Sequence, residues 1–175
     1  MFKKAILSLI ILLLTLPNLL AQELQGKFAD WSVFTADFGQ GKNGKKICYM
    51  MSLPVKKDGN YNRRGEPYFL VTNSVDNIDE ITVASGYVYK EGSEVELSFG
   101  LKKFNGFTYK SLAWANTKTD DIDIIKEMRR NLDVVVLGIN KRNQYSSDTY
   151  SLIGFNQAYG KMKEMCSASA SLQRD

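Results

Sequence analysis

Glu94-Val95-Glu96-Leu97-Ser98-Phe99 puts Val95, Leu97 and Phe99 on one side of an extended chain and Glu94, Glu96 and Ser98 on the other. Strict alternation of this kind marks a strand with one face in a core and the other toward water. The pattern recurs in short segments bounded by turn residues, with almost no strand–helix–strand alternation. A chain written this way builds antiparallel sheet and must cover one face of it.

The segments follow one another closely. Phe28 to Thr35 alternates, with Trp31 and Val33 opposite Asp30 and Ser32. Lys42-Asn43-Gly44-Lys45 reads as a turn. Ile47 to Leu53 reads as a strand ended by Pro54, and Lys56 to Asn60 as an exposed loop. Tyr68 to Thr72, apolar, β-branched and aromatic, suits a central strand. Ile81 to Tyr89 alternates in part, with Gly86 placed for a bulge, and Leu112 to Ala115 is a further short strand. Phe104-Asn105-Gly106-Phe107 carries a hairpin signal, because Asn-Gly readily takes the positive φ of a tight turn. Asp133 to Ile139, rich in valine, reads as a buried strand, and Asp148 to Ile153 as the last one.

Two helices interrupt the strands. Thr119 is placed to cap the first, with Asp120, Asp121 and Asp123 in its opening turn, Ile122, Ile125 and Met128 as its apolar stripe, and Arg129 and Arg130 at its end. Phe155 to Met165 forms the second, with Phe155, Tyr159, Met162 and Met165 on one side and Cys166 at its end. The expected fold is mainly β, an antiparallel sandwich or barrel of eight or nine short strands with one or two short helices. A helix-backed α+β sheet is the alternative.

The first residues carry an address. Lys3 and Lys4 precede an uncharged apolar run from Ala5 to Leu16, then Pro17, Asn18 and a small residue at Ala21. That order is the pattern of a cleavable secretory signal over residues 1–21. The apolar run is shorter than the roughly 20 residues a membrane-spanning helix needs, and no later stretch of sequence is apolar enough to span. Residues 22–166 then form one domain and 167–175 a flexible tail. The chain holds 23 basic and 19 acidic side chains. Without Lys3 and Lys4 the balance is 21 to 19, or +2, which gives nucleic-acid binding no support.

Cys48 and Cys166 are the only cysteines. An even count in an exported chain suggests a disulfide. Two free thiols or a bond between chains are the alternatives. There is no histidine, which removes Ser–His and Cys–His nucleophile pairs and histidine-ligated metals. Carboxylate chemistry remains, with Asp76, Asp79 and Glu80 in an expected loop and Asp120, Asp121 and Asp123 opening the first helix. A glycosidase needs two such acids some 5–10 Å apart across a cleft. Neither a metal nor a cofactor is implied. The densest polar segment runs from Asn60 to Tyr68, where Arg63 and Arg64 lie between Tyr61 and Tyr68. Two arginines beside tyrosines suit a carboxylate, phosphate or lipid headgroup. The structural alternative is that one arginine fixes the start of the Tyr68 strand by pairing with Glu66 or a loop carbonyl.

Asp30-Trp31-Ser32-Val33, then Cys48-Tyr49, then Arg63-Arg64-Gly65-Glu66-Pro67-Tyr68, then Asp148 to Phe155, with a cysteine near the end, resembles the invasion-associated locus B family of small exported alphaproteobacterial proteins. The similarity covers residues 28–166. It implies an immunoglobulin-like β-sandwich, a periplasmic location (or an outer-membrane-associated or secreted one) and no known enzymatic activity. Some members of that family have a cysteine soon after the Asp-Trp pair, where this chain has Val33-Phe34-Thr35-Ala36. The expected function is a non-catalytic envelope domain binding an envelope protein, lipid or glycan, with Tyr61, Arg63, Arg64, Tyr68 and Tyr145 as the contact set. A factor that touches a host cell, and a carboxylate-dependent hydrolase of an envelope glycan or peptide, are the alternatives.

Overall fold

The computed structural model describes residues 22–38, 45–73 and 79–172. The signal segment 1–21, most of the turn at 42–45, Asp76 and residues 173–175 lie outside the described residues. The strands are β1 (Gln22–Phe28), β2 (Trp31–Phe38), β3 (Lys45–Ser52), β4 (Lys56–Gly59), β5 (Tyr68–Asn73), β6 (Asp79–Ala84), β7 (Glu94–Phe99), β8 (Lys102–Tyr109), β9 (Leu112–Ala115), β10 (Asp133–Ile139) and β11 (Tyr145–Ser151). Helix α1 (Lys118–Met128) follows β9, and α2 (Phe155–Leu172) follows β11. All eleven strands join one antiparallel sheet in the order β1-β2-β3-β5-β6-β9-β8-β7-β10-β11-β4. The mainly-β, antiparallel class is as the alternation requires.

The two ends of this ladder face each other around one core. Val33, Met50, Val71 and Ile81 are cross-strand partners on the inner face of β2, β3, β5 and β6, and all are fully buried. Trp31 on β2 donates its indole N–H to the Ser151 carbonyl on β11 at 2.9 Å. Phe69 on β5 meets Tyr150 on β11 edge to face at 5.6 Å, and Trp31 meets Phe155 of α2 in the same way at 5.1 Å. The chain steps from β3 to β4, the far end of the ladder, through Leu53-Pro54-Val55, where Val55 N–H donates to the Thr149 carbonyl at 2.8 Å.

Several expectations are corrected. Phe28 to Thr35 is not one strand: it bridges β1 and β2, which turn on Ala29 and Asp30, with Ala29 at φ 49°. Lys56 to Gly59 is an exposed edge strand paired with β11, not a loop. Asn105-Gly106 is no hairpin turn and lies in the middle of β8. Gly106 pairs with both Val95 and Ala115, and a Cβ there would strike the Trp114 carbonyl, so the close approach of backbones sets the glycine. The cap of α1 is Thr117, not Thr119, and its hydroxyl accepts from Asp120 N–H at 3.1 Å. The buried stripe of α1 is Ile124, Ile125 and Met128, while Ile122 points to solvent. Helix α2 buries Phe155, Ala158 and Met162, with Tyr159 and Met165 packed beside them. It runs on through Cys166 to Leu172, past the expected start of a tail. Cys166 is bonded to Cys48 of β3, with Cα atoms 5.8 Å apart.

Candidate functional site

The residues expected to bind a partner fall into three environments. Arg64 turns inward. Its guanidinium forks onto the Asp148 carboxylate, one arm at 2.6 Å, and also donates to the Ser85 carbonyl at 3.0 Å. The Arg64 side chain is 4% exposed and Asp148 is fully buried. Burial works against the arginine charge, but the hydrogen bonds and charge of Asp148 outweigh it and hold its pKa above the ordinary value. Arg64 is therefore withdrawn from any contact surface. It does what the structural alternative assigned to one arginine: it bonds a loop carbonyl, that of Ser85, and its carboxylate partner is Asp148 in place of Glu66, which pairs with Lys57 at 3.1 Å.

Tyr61 and Tyr145 stand at the β4–β11 edge, where a Cβ on Gly59 would strike both the Tyr61 ring and the Tyr145 carbonyl. The Tyr61 ring lies under the Arg64 guanidinium, 4.3 Å from its centre. Asn60 and Tyr145 exchange hydrogen bonds, Tyr145 N–H to the Asn60 side chain at 2.8 Å and Asn60 N–H to the Tyr145 carbonyl at 3.2 Å. Arg63 is exposed. Tyr68 lies elsewhere, on the face of β5 turned away from the core.

Beneath Arg64 is a buried nest of hydroxyls. Ser85 and Tyr89 are 2.6 Å apart, and Tyr87 and Ser146 2.7 Å apart, oxygen to oxygen. Burial drives the phenols of Tyr87, Tyr89 and Tyr150 above their usual range. They stay protonated at physiological pH.

The surface also carries two depressions. One, of about 470 Å³, lies on the outer face of β2, β3 and β5 and is lined by Ala36, Ile47, Tyr49, Met51, Tyr68 and Leu70. Alternation produces it directly, since these residues are one step out of phase with the buried Cys48, Met50, Phe69 and Val71. Phe34 stacks on Tyr49 at 5.3 Å beside it, and the Gln22 side-chain amide bonds the Tyr49 hydroxyl.

The other, of about 430 Å³, lies where the start of α1 meets β6, β8 and β9, and Glu80, Phe107, Tyr109, Trp114, Lys118 and Asp121 line it. Asp121, 7% exposed, accepts from Ile81 N–H at 2.9 Å. Burial pushes its pKa up to about 6, and the charges of Glu80, Asp120 and Asp79 add to the shift against the opposing hydrogen bond from Ile81. Asp79 is occupied elsewhere: it accepts from Tyr159 at 2.5 Å and from Lys163 at 3.1 Å. The sequence placed Asp121 at the helix start and among the candidate carboxylates. Its role against Ile81 was hidden because the contact is between residues 40 apart in the chain. Among the described residues, no three acidic or cysteine side chains stand close enough to hold a metal ion.

The family model described as "Invasion associated locus B (IalB) protein" matches residues 31–163. Among solved structures, the crystal structure of invasion associated protein B from Bartonella henselae is similar in fold. It has a TM-score of 0.55 and 12% identity, over 83% of this chain and 97% of that one. No curated protein sequence matches.

Proposed function

Because this chain belongs to the invasion associated locus B family, we propose that it is an exported, non-catalytic envelope domain that holds a partner protein against the outer face of its sheet. The observation that carries this reading is the apolar depression on β2, β3 and β5. Met51, Tyr68 and Leu70 are half-buried there, away from a core that is already complete without them. Apolar and aromatic side chains gathered in one hollow on a surface are what interface centres are made of. The depression runs to β1, an edge strand of the sheet with one side of its backbone unpaired by any strand of this ladder. A partner segment can therefore lie along an edge as well as in a hollow. The Cys48–Cys166 bond fits an oxidising compartment and supports a periplasmic address. No helix among the described residues is long and apolar enough to cross a membrane.

A photo-cross-linkable residue at Leu70, installed in living cells, tests this. The expected result is a covalent adduct with one envelope protein, lost when Met51→Asp is added. Adducts that persist unchanged with Met51→Asp, or none at all, would sink the reading, and adducts only with lipid would replace the protein by a lipid surface.

A second reading is favoured by one observation. Glu80 and Asp121 line a common cleft, and the proton affinity of Asp121 is raised as in a general acid. That suits a carboxylate-dependent hydrolase of an envelope glycan. Release of new reducing ends from purified peptidoglycan by the wild-type protein, and not by Glu80→Gln, would establish it. Absence of such release ends it.

A further inference from the structure

We infer that the cleft between α1 and the β8–β9 hairpin is a saccharide-binding site, in which a short oligosaccharide lies against Trp114, Phe107 and Tyr109 and bonds the polar groups that line the cleft beside them. The inference goes beyond the proposed partner surface and does not require the hydrolase reading, since binding and cleavage are read separately below.

Aromatic side chains form one wall. Phe107 and Trp114 are cross-strand partners on the outer face of β8 and β9, stacked at 5.5 Å with planes 22° apart. Tyr109 follows two residues on, on the same face. Phe107 is 47% and Tyr109 64% exposed, so two large rings that a folding core would have claimed stand in water. Aromatic rings of this kind bring apolar area at low entropy cost and, in Tyr and Trp, a polar tip. The C–H faces of a pyranose ring are apolar and flat enough to stack on them.

Polar groups of both kinds complete the lining, Glu80 from β6 and the others from the start of α1. Glu80 and Asp121 are acceptors, Lys118 is a donor and the Asn116 side-chain carbonyl is a further acceptor, while the Thr117 hydroxyl is taken up by Asp120 and the Asn116 amide N–H by the Asn105 carbonyl. A sugar hydroxyl is donor and acceptor at once, so a mixed lining satisfies it, whereas an anion meets Glu80 and Asp121. A cation meets Lys118 and the positive end of α1, and the first-turn acids Asp120 and Asp121 already offset that end. The volume, about 430 Å³, falls in the range of small-ligand clefts.

The whole mature chain supplies its own probe. It has two tryptophans, and Trp31 is fully buried while Trp114 is only partly so. Titration with chitotetraose, cellotetraose and maltotetraose, each at up to millimolar concentration, is followed by tryptophan fluorescence and by calorimetry. At least one of them should shift the emission and bind. Trp114→Ala should abolish the fluorescence response and weaken binding measured by calorimetry about tenfold or more, the value of one lost stacking or hydrogen-bonding contact of roughly 1.4 kcal/mol. Tyr109→Ala, at a side chain too exposed to matter for folding, should weaken it several-fold, which keeps the test valid if Trp114→Ala unfolds. If none of the three binds, if Tyr109→Ala and Trp114→Ala bind like wild type, or if 1,4-diaminobutane gives the response and the sugars do not, the assignment is overturned. Binding without cleavage keeps the site and sinks the hydrolase. Loss of the Leu70 cross-link with sugar binding intact sinks the partner surface alone.

Discussion

Arg64 and Asp148 form an ion pair inside the protein, the guanidinium meeting the carboxylate with two arms between the loop that precedes β5 and the middle of β11. The pair ties together segments 84 residues apart. Removing one partner of a buried pair leaves the other charged and unpaired, which costs about 3–5 kcal/mol. Arg64→Ala is expected to lower the urea midpoint accordingly. Arg64→Lys should also lose stability, because a single ammonium cannot reproduce the fork. The double variant Arg64→Met, Asp148→Leu should lose much less than either single change. Equal losses in all three, measured by urea unfolding, would show that the fork is not what holds the loop.

Cys48 and Cys166 close a loop of 118 residues. On the chain-entropy view a crosslink of that span stabilises the folded state by about 4–5 kcal/mol, through restriction of the unfolded chain. It also pins α2 to β3, whose inner face α2 covers. Non-reducing mass spectrometry should give a single Cys48–Cys166 peptide, and Cys48→Ser with Cys166→Ser should lower the urea midpoint with a larger m-value. A double variant as stable as the native chain would show that helix packing through Phe155, Ala158 and Met162 suffices.

The inner face was legible wherever alternation was strict. Val95, Leu97 and Phe99 are buried as their spacing requires; Asp133–Ile139 is a strand to the residue, but every second residue is buried and Leu137 and Ile139 are exposed, so it is not the wholly buried strand its valines suggest. What local patterns could not show is what distant segments do. Gly106 reads as a turn residue because Asn-Gly usually is one, yet it is set by the Trp114 backbone across the ladder. Ile122 reads as core by helical spacing, yet the buried residues of α1 are Asp121, Ile124, Ile125 and Met128. Arg64 reads as a surface cation until Asp148 comes beside it. The cleft at α1 joins Glu80, Trp114 and Asp121, whose proximity follows from the strand order β6-β9-β8, and no spacing in the chain encodes that order.

Gly86 and Gly92 separate two costs of adding a side chain. Both hold positive φ, 75° and 70°. A Cβ at Gly92 meets nothing, whereas at Gly86 it runs into the Gly65 carbonyl, next to the 2.8 Å bond from Gly65 N–H to the Gly86 carbonyl. Gly92→Ala should cost only the left-handed backbone penalty, about 1–2 kcal/mol. Gly86→Ala should cost clearly more, because the loop carrying Arg64 must move. Thermal unfolding of the two variants side by side checks this, and equal losses would show that the Gly65 loop yields freely.

Asp121 gives the fold a pH dependence of unusual sign. Most native carboxylates have lowered pKa values, so acid destabilises. Here burial, then the charges of Glu80, Asp120 and Asp79, raise the pKa to about 6 against the Ile81 N–H bond, above an unfolded value of about 3.9. Between those values the folded state binds more protons than the unfolded one. The stabilisation from the protonated form is complete below about pH 4 and is lost as pH rises through about 6. Asp121→Asn stays neutral throughout, and its side-chain oxygen can still accept from Ile81 N–H. The variant should gain about 1–2 kcal/mol over the native chain at pH 7 and show no advantage at pH 4. Urea midpoints measured for both proteins at pH 4, 5, 6 and 7 give the comparison. A constant difference across that range would mean that the Asp121 carboxyl does not titrate there.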